Sequence, residues 1–388
     1  MLGGERFLEL ACVRRAKHGQ SVSGDVHVAR RLPEEGRLVA VLSDGLGSGI
    51  KANVLATLTA TMAGRFAAAG HDPERSAAAI MRTLPICSRR GIGYATFTIL
   101  EAHDHGACRL WWMGNPAPLV RGADGARVLS GQLVADAGVP GRTLRSASVE
   151  LAIDEDLVTV SDGVVHAGMG SDALPLGWGE DGVCDALATR TAGSAAALAE
   201  GIVAEALRLE SGATRDDASC MVCRLRRPRH LLVVTGPPYD RDEDAAFARR
   251  VADFDGTVVV CGGTTAAVIA RQLDRRLELL PQAGAAAVPP ASRMAGCALV
   301  TEGAVTLEHL RRLLGETGRG RGGRDAAAAL RRTLLEHDSI HFLVGSALNP
   351  AHHDPRLPRA FDLRWQQVDH LRELLERHHC KRVSVERC

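Results

Sequence analysis

Hydrophobic and polar positions divide the chain into two regimes. In the first, Leu8 to Arg15 reads as an edge strand, and Gly19 to Gly24 as a turn. Asp25 to Arg31 alternates, and Leu38 to Leu42 is a continuous apolar run of the kind found in a buried strand. Gly47-Ser48-Gly49 opens a helix from Ile50 to about Ala69, ended by Gly70-His71-Asp72-Pro73. Asp72 then caps a second helix running to about Leu84, with Pro73 at its first position. From Gly93 antiparallel strands follow: Tyr94 to Glu101, Ala107 to Gly114, Pro118 to Arg121, Leu144 to Leu151 and Asp156 to Val160. A helix over Ser194 to Leu209 and a strand over Ala218 to Leu225 complete this part. The order predicts two antiparallel sheets flanked by helices, an αββα sandwich.

Beyond the basic run Arg224-Leu225-Arg226-Arg227-Pro228-Arg229 the rhythm becomes βαβα. Leu231 to Val234, Thr257 to Cys261, Cys297 to Val300 and Ile340 to Val344 are short apolar strands. Helices over Asp242 to Asp253, Gly263 to Leu273 and Leu307 to Leu314 come between them. That alternation predicts a mostly parallel α/β domain. The chain is α/β overall, with domains at residues 1–226 and 229–388. Gly318 to Arg324 reads as a basic loop.

At 388 residues, two cores are expected rather than one. Basic residues number 47 against 46 acids, and aromatics make up 3%. Neither net charge nor stacking surface argues for a nucleic-acid partner. Ten cysteines are too sparse for a disulfide scaffold. Cys220 and Cys223 lie three apart on a strand and so face opposite sides, which argues against one shared metal. No apolar run approaches the ~20 residues of a membrane span and no signal peptide is evident, so a cytoplasmic protein is expected.

The candidate chemistry lies in aspartates. Asp44 and Asp162 directly follow strand-like runs and precede glycines, in Ser43-Asp44-Gly45-Leu46-Gly47-Ser48-Gly49 and Ser161-Asp162-Gly163. Asp25 stands in Ser23-Gly24-Asp25, and Asp216 in Arg215-Asp216-Asp217. Taken singly, each is an ordinary turn or capping residue. As a set they are the all-oxygen ligands that suit hard divalent cations.

These four blocks, in this order, resemble the SpoIIE-type branch of the metal-dependent serine/threonine phosphatases of the type 2C class, over roughly residues 1–225. The resemblance implies two Mn2+ or Mg2+ ions held by Asp25, Asp44, the Gly45 carbonyl, Asp162 and Asp216. It implies hydrolysis of a phosphomonoester by a metal-activated water, with all four aspartates catalytic. Asp217 is the alternative to Asp216. The implied partner is a phosphorylated regulatory protein resembling an anti-sigma-factor antagonist, and a homodimer is an open arrangement. A small phosphorylated metabolite is an alternative substrate. His18 and His166 lie near motif blocks but read as surface residues.

The second domain offers Gly262-Gly263-Thr264-Thr265 at a helix start as an anion site, with ordinary capping as the equal alternative. No Walker lysine or Gly-x-Gly-x-x-Gly accompanies it. The histidines His337, His341, His352-His353 and His378-His379 are scattered in mixed surroundings and argue weakly for metal. The competing reading of the whole chain is a catalytically weak signalling scaffold. Its C-terminal domain would then bind a small anionic ligand or a partner protein.

Overall fold

The computed structural model describes residues 5–45, 47–84, 95–136, 143–281, 288–315, 325–347 and 360–388. Leu46, the basic stretch Gly318 to Arg324, and His352-His353 lie outside them. The chain divides into two compact units, Met1–Arg227 and Pro228–Cys388.

The first unit runs β1 (Phe7–Arg15), β2 (Asp25–Leu32), β3 (Arg37–Gly45), α1 (Gly49–Ala68) and α2 (Pro73–Thr83). There follow β4 (Ala95–His103), β5 (Ala107–Met113), β6 (Leu119–Gly122), β7 (Gly125–Val128), β8 (Gln132–Asp136), β9 (Thr143–Glu150) and β10 (Asp156–Val160). The unit ends with α3 (Asp162–Val165), α4 (Gly179–Thr189), α5 (Ala195–Leu209) and β11 (Ala218–Arg226). The strands make a five-stranded sheet, β1-β11-β10-β6-β7, and a six-stranded sheet, β2-β3-β4-β5-β9-β8. Both are antiparallel.

Strand alternation explains the layers. Val39 and Val41 of β3 and Phe97 and Ile99 of β4 face a cluster with Ala56, Ala60, Ile80 and Met81 of α1 and α2. Val158 and Val160 of β10 and Cys220 and Val222 of β11 face α4 and α5 through Val183, Leu187, Leu198 and Ile202. The intervening residues Leu38, Leu42, Leu100, Leu157, Met221 and Cys223 are buried on the opposite faces. The result is the αββα sandwich, and it places Cys220 and Cys223 on opposite sides of their strand. Asp72 caps α2 through its Oδ1, which accepts from Arg75 N–H at 2.8 Å.

A buried ionic knot ties the five-stranded sheet to its helices. Asp156 is fully buried and accepts from Arg121 Nη1 (2.6 Å) and from Arg224 Nε (2.7 Å) and Nη2 (3.0 Å). Both guanidiniums continue outward to backbone oxygens. Arg121 reaches Leu187 and Arg190, and Arg224 reaches Ala192, so the α4–α5 connection is fastened to the sheet.

The second unit contains β12 (His230–Thr235), α6 (Asp244–Ala252), β13 (Thr257–Cys261), α7 (Gly263–Gln272), β14 (Leu277–Leu279) and β15 (Ser292–Met294). It continues with β16 (Leu299–Thr301), α8 (Ala304–Gly315), α9 (Ala326–Glu336), β17 (Ser339–Val344), α10 (Ala360–His379) and β18 (Arg382–Arg387). Its sheet is ordered β14-β15-β16-β13-β12-β17-β18. From β16 to β18 every pairing is parallel, and only β14 and β15 run against their neighbours. One face carries α8, α9 and α10, with Leu310, Leu330 and Leu371, and the other carries α6 and α7, with Phe247 and Ile269. Among the described residues no helix is long and apolar enough to cross a membrane.

The Asp156 knot yields a stability prediction. Asp156→Asn would leave buried Arg224 and half-buried Arg121 short of their counter-charge, so equilibrium urea unfolding should show a loss of about 3 kcal/mol.

Candidate metal centre

Each sheet of the sandwich contributes one pair of strand ends. In the six-stranded sheet, β2 and β3 pair antiparallel with Asp25 directly opposite Asp44. In the five-stranded sheet, β10 and β11 pair with Val160 opposite Cys220. The chain leaving β10 therefore carries Asp162 next to the chain entering β11 with Asp216. Ser161 N–H donates to Ser219 O (3.0 Å) and Ser219 N–H donates to Ser161 Oγ (2.9 Å), which extends the pairing towards both acids. Among the bonds that cross between the sheets, Ser219 Oγ donates to Asp25 Oδ2 at 2.5 Å.

The four carboxyls sense one another. Burial pushes Asp44 up to about 10, and the charges of Asp25, Asp162 and Asp216 reinforce the rise. Asp25 rises to about 7, again mainly through burial, against the lowering effect of hydrogen bonds from Ser219, Ser161 and Asp44. Asp44 thus keeps the proton that it shares with Asp25. Asp216 is also raised by burial and by Asp162, while Lys17 and His166 act the other way.

Asp216 and Asp217 point to different neighbours. Asp216 is tied electrostatically to Asp162 and Asp44. Asp217 is buried, and its Oδ1 accepts from Lys17 N–H at 3.0 Å. Its Oδ2 lies against Gly24, 2.8 Å from where a Cβ would stand, and its charge acts on Asp25. Both therefore feel the cluster, Asp216 through Asp44 and Asp162 and Asp217 through Asp25.

The glycines of the motifs are explained by backbone approach. A Cβ on Gly45 would stand 1.9 Å from Ala52 O, and one on Gly163 would stand 2.2 Å from Asp217 O. Helix α1 comes this near because the face it buries carries alanines: Ala52, Ala56, Ala60, Ala63 and Ala67. Gly49 adopts φ +72°, a left-handed conformation that costs other residues energy, at the start of that helix.

The donor set fits a hard cation. Buried Asp25 Oδ1, Asp162 Oδ1 and Asp217 Oδ2 have no hydrogen-bond partner among the described residues, and none of Asp25, Asp44, Asp162 or Asp216 has an ion pair there. Desolvated acids without a counter-ion need protons or a metal. Among the described residues no group of three or more His, Cys, Asp or Glu side chains is placed to hold a metal ion as it stands.

Sequence reasoning did not pick out the supporting groups. Ser219, the Lys17 backbone and Arg14, whose Nη1 donates to Asp25 O at 2.8 Å, lie outside or beside the acid motifs. His166 is exposed close to Asp216, and His18 is exposed, its N–H donating to Thr214 O. In the second unit, the candidate anion site at Gly262 to Thr265 faces an acid. Glu302 Oε1 lies 3.1 Å from where a Gly263 Cβ would stand, so an anion there would compete with the protein's own carboxylate.

The family model for Stage II sporulation protein E (SpoIIE) matches residues 34–226. The N-terminal unit carries a SpoIIE-family phosphatase domain of the type 2C class. The SpoIIE match begins after Asp25, which joins the cluster through the β2–β3 pairing. Among solved structures, the phosphatase domain of SpoIIE from Bacillus subtilis is 17% identical, with 57% of this chain and 94% of that chain covered and a TM-score of 0.46. The RsbU and RsbW domains of Rv1364c from Mycobacterium tuberculosis are 20% identical, with 63% and 67% covered and a TM-score of 0.49. RsbX, in complex with magnesium, is 15% identical, with 56% and 95% covered and a TM-score of 0.41. No curated protein matches the chain.

A pH dependence of metal uptake follows for the SpoIIE-type domain. With Asp44 raised to about 10 and Asp25 to about 7, a cation must displace protons at neutral pH. Apparent Mn2+ affinity should therefore rise steadily from pH 6 to pH 9. Calorimetry at pH 7 in buffers of different ionisation enthalpy should detect net proton release.

Proposed function

We propose that the N-terminal unit is a metal-dependent serine/threonine protein phosphatase acting on a phosphorylated regulatory protein. The observation carrying this reading is the electrostatic coupling of Asp44 to Asp25, Asp162 and Asp216, four acids from two sheets with no ion pair among the described residues. Asp25, Asp44, the Gly45 carbonyl, Asp162 and Asp216 would hold two Mn2+ or Mg2+ ions. When bound, such ions acidify a water and neutralise charge on phosphoryl oxygens.

The chain's own groups have separate tasks. Ser219 fixes the rotamer of Asp25 by donating to its Oδ2, so that the other oxygen is presented in one direction. Asp217 fastens the Lys17 backbone beside the site. Lys17 and His166 are the two bases felt by Asp216, and they supply positive charge where a dianionic phosphomonoester would enter. His166 is exposed beside Asp216 and would be the side chain placed to donate to a departing serine or threonine oxygen. An anti-sigma-factor antagonist-like phosphoprotein in the cytoplasm is the substrate class this reading favours.

The decisive assay is Mn2+-dependent hydrolysis of p-nitrophenyl phosphate. Asp44→Asn and Asp162→Asn should each lower kcat at least about 100-fold with the fold retained. Asp216→Asn should weaken Mn2+ binding more than Asp217→Asn. Undiminished turnover in the first two variants removes the assignment, and a wild-type chain without metal-dependent turnover leaves the scaffold reading. A phosphopeptide set run against phosphorylated metabolites separates the two substrate classes.

A further inference from the structure

The edge of the second unit's sheet carries an inference independent of the phosphatase reading. Strand β18 closes one margin of the seven-stranded sheet, and among the described residues no strand pairs with its outer side. Arg382 N–H donates to Asp338 O (2.8 Å) and Cys388 N–H donates to Val344 O (3.0 Å). Even-numbered residues therefore turn their backbone groups towards β17. By alternation, Val383 and Val385 turn their N–H and C=O groups outward. An open strand of six residues without proline or lysine is a template for another strand.

The sequence of this edge selects what can pair with it. Arg382-Val383-Ser384-Val385-Glu386 is its own complement when run antiparallel about a two-fold axis through Ser384. In that register Arg382 opposes Glu386 of the second copy, and Val383 opposes Val385. Both valine pairs are of the hydrogen-bonded kind, which is what their outward backbone groups require. Both Arg–Glu pairs are of the other kind, where facing side chains come closest. Glu386 is already oriented by Arg250 (2.5 Å) and His341 (3.2 Å). Along the same strand a cavity of about 240 Å³ is lined by Trp365, Asp369 and Arg372 of α10 and by Val383 and Val385. An added strand would cover its apolar wall.

The opposite margin lacks these properties. β14 has three residues, and self-pairing about its centre would set Glu278 against Glu278.

We infer that β18 pairs antiparallel with β18 of a second copy of this chain, joining two seven-stranded sheets into one continuous sheet with Ser384 on the two-fold axis. A single strand pair with flanking side chains makes a small isologous interface, so dissociation on the order of micromolar is expected.

Sedimentation velocity of the full chain, from about 0.1 to 100 µM, tests this. The wild type should pass from monomer to dimer across that range. Val385→Pro removes an N–H that makes no bond to β17 but also a side chain packed on the core, so in chains shown folded by circular dichroism association should weaken at least about 10-fold. Arg382→Glu sets two acids against each other and should weaken association, and adding Glu386→Arg should restore it. Wild type that stays monomeric, Val385→Pro that dimerises as tightly as wild type, or a double variant that fails to recover overturns the inference.

Discussion

Asp25, Asp44 and Asp162 lose much of their water in one small volume, with no cation among the described side chains to offset them. Two like charges about 4 Å apart at an effective dielectric near 20 repel by roughly 4 kcal/mol. The protein meets that cost by leaving a proton on Asp44, the carboxyl raised furthest. Such a site stores a demand for positive charge, and the sandwich keeps the acids from spreading apart. Val39, Val41, Val158, Val160 and Val222, buried under helices on the outer faces, fix the strands whose ends bear the acids. The cross-sheet bond from Ser219 to Asp25 then sets the two halves of the cluster against each other.

The small residues of the motifs serve the same constraint. An acid at a strand end can be brought beside another strand only if the intervening backbone comes close. Gly45 against Ala52, Gly24 against Asp217 Oδ2 and Gly163 against Asp217 O are three such approaches, each too near for a side chain. The alanine face of α1 belongs to the same arrangement, since larger residues there would lift the helix from β2 and β3. The Ser-Asp-Gly pattern is thus a packing signature as much as a chemical one.

That dual origin explains what could be read from the chain. Strand alternation and apolar runs located β1, β3, β10 and β11, and the Asp72-Pro73 cap located α2, because each signal is local. β7, β8 and α4 escaped: Gly125–Val128 is very short, Gln132–Asp136 is polar at its start, and Gly179–Thr189 contains an internal glycine and three acids. In the second unit α9, α10 and β18 escaped as well, since arginines interrupt their apolar periods. α10 includes Arg364, Arg372 and Arg377, and β18 begins and ends in arginine. The acids stand out in the chain as an ordered set of motifs, but the groups that support them do not. Ser219 ends the fourth acid block but the motif gives it no role, Arg14 carries no motif, and their contribution exists only once β1, β10 and β11 are side by side.

Electrostatics at the strand ends of the second unit differ in kind from those of the first. The strand order β16-β13-β12-β17-β18 reverses direction at β12, which is where open α/β sheets usually receive ligands. Helix N-termini there would ordinarily attract anions. In this chain they already face acids. Asp240, Asp242, Glu243 and Asp244 crowd the approach to α6, with Asp240 Oδ1 accepting from Asp242 N–H, and Glu302 stands against the start of α7. The guanidinium at the reversal, Arg364, donates to Gly345 O and Ala347 O, and burial lowers its pKa. Its charge is spent on holding the β17 exit against the loop after β12, where Gly236 at φ +81° leaves room for it.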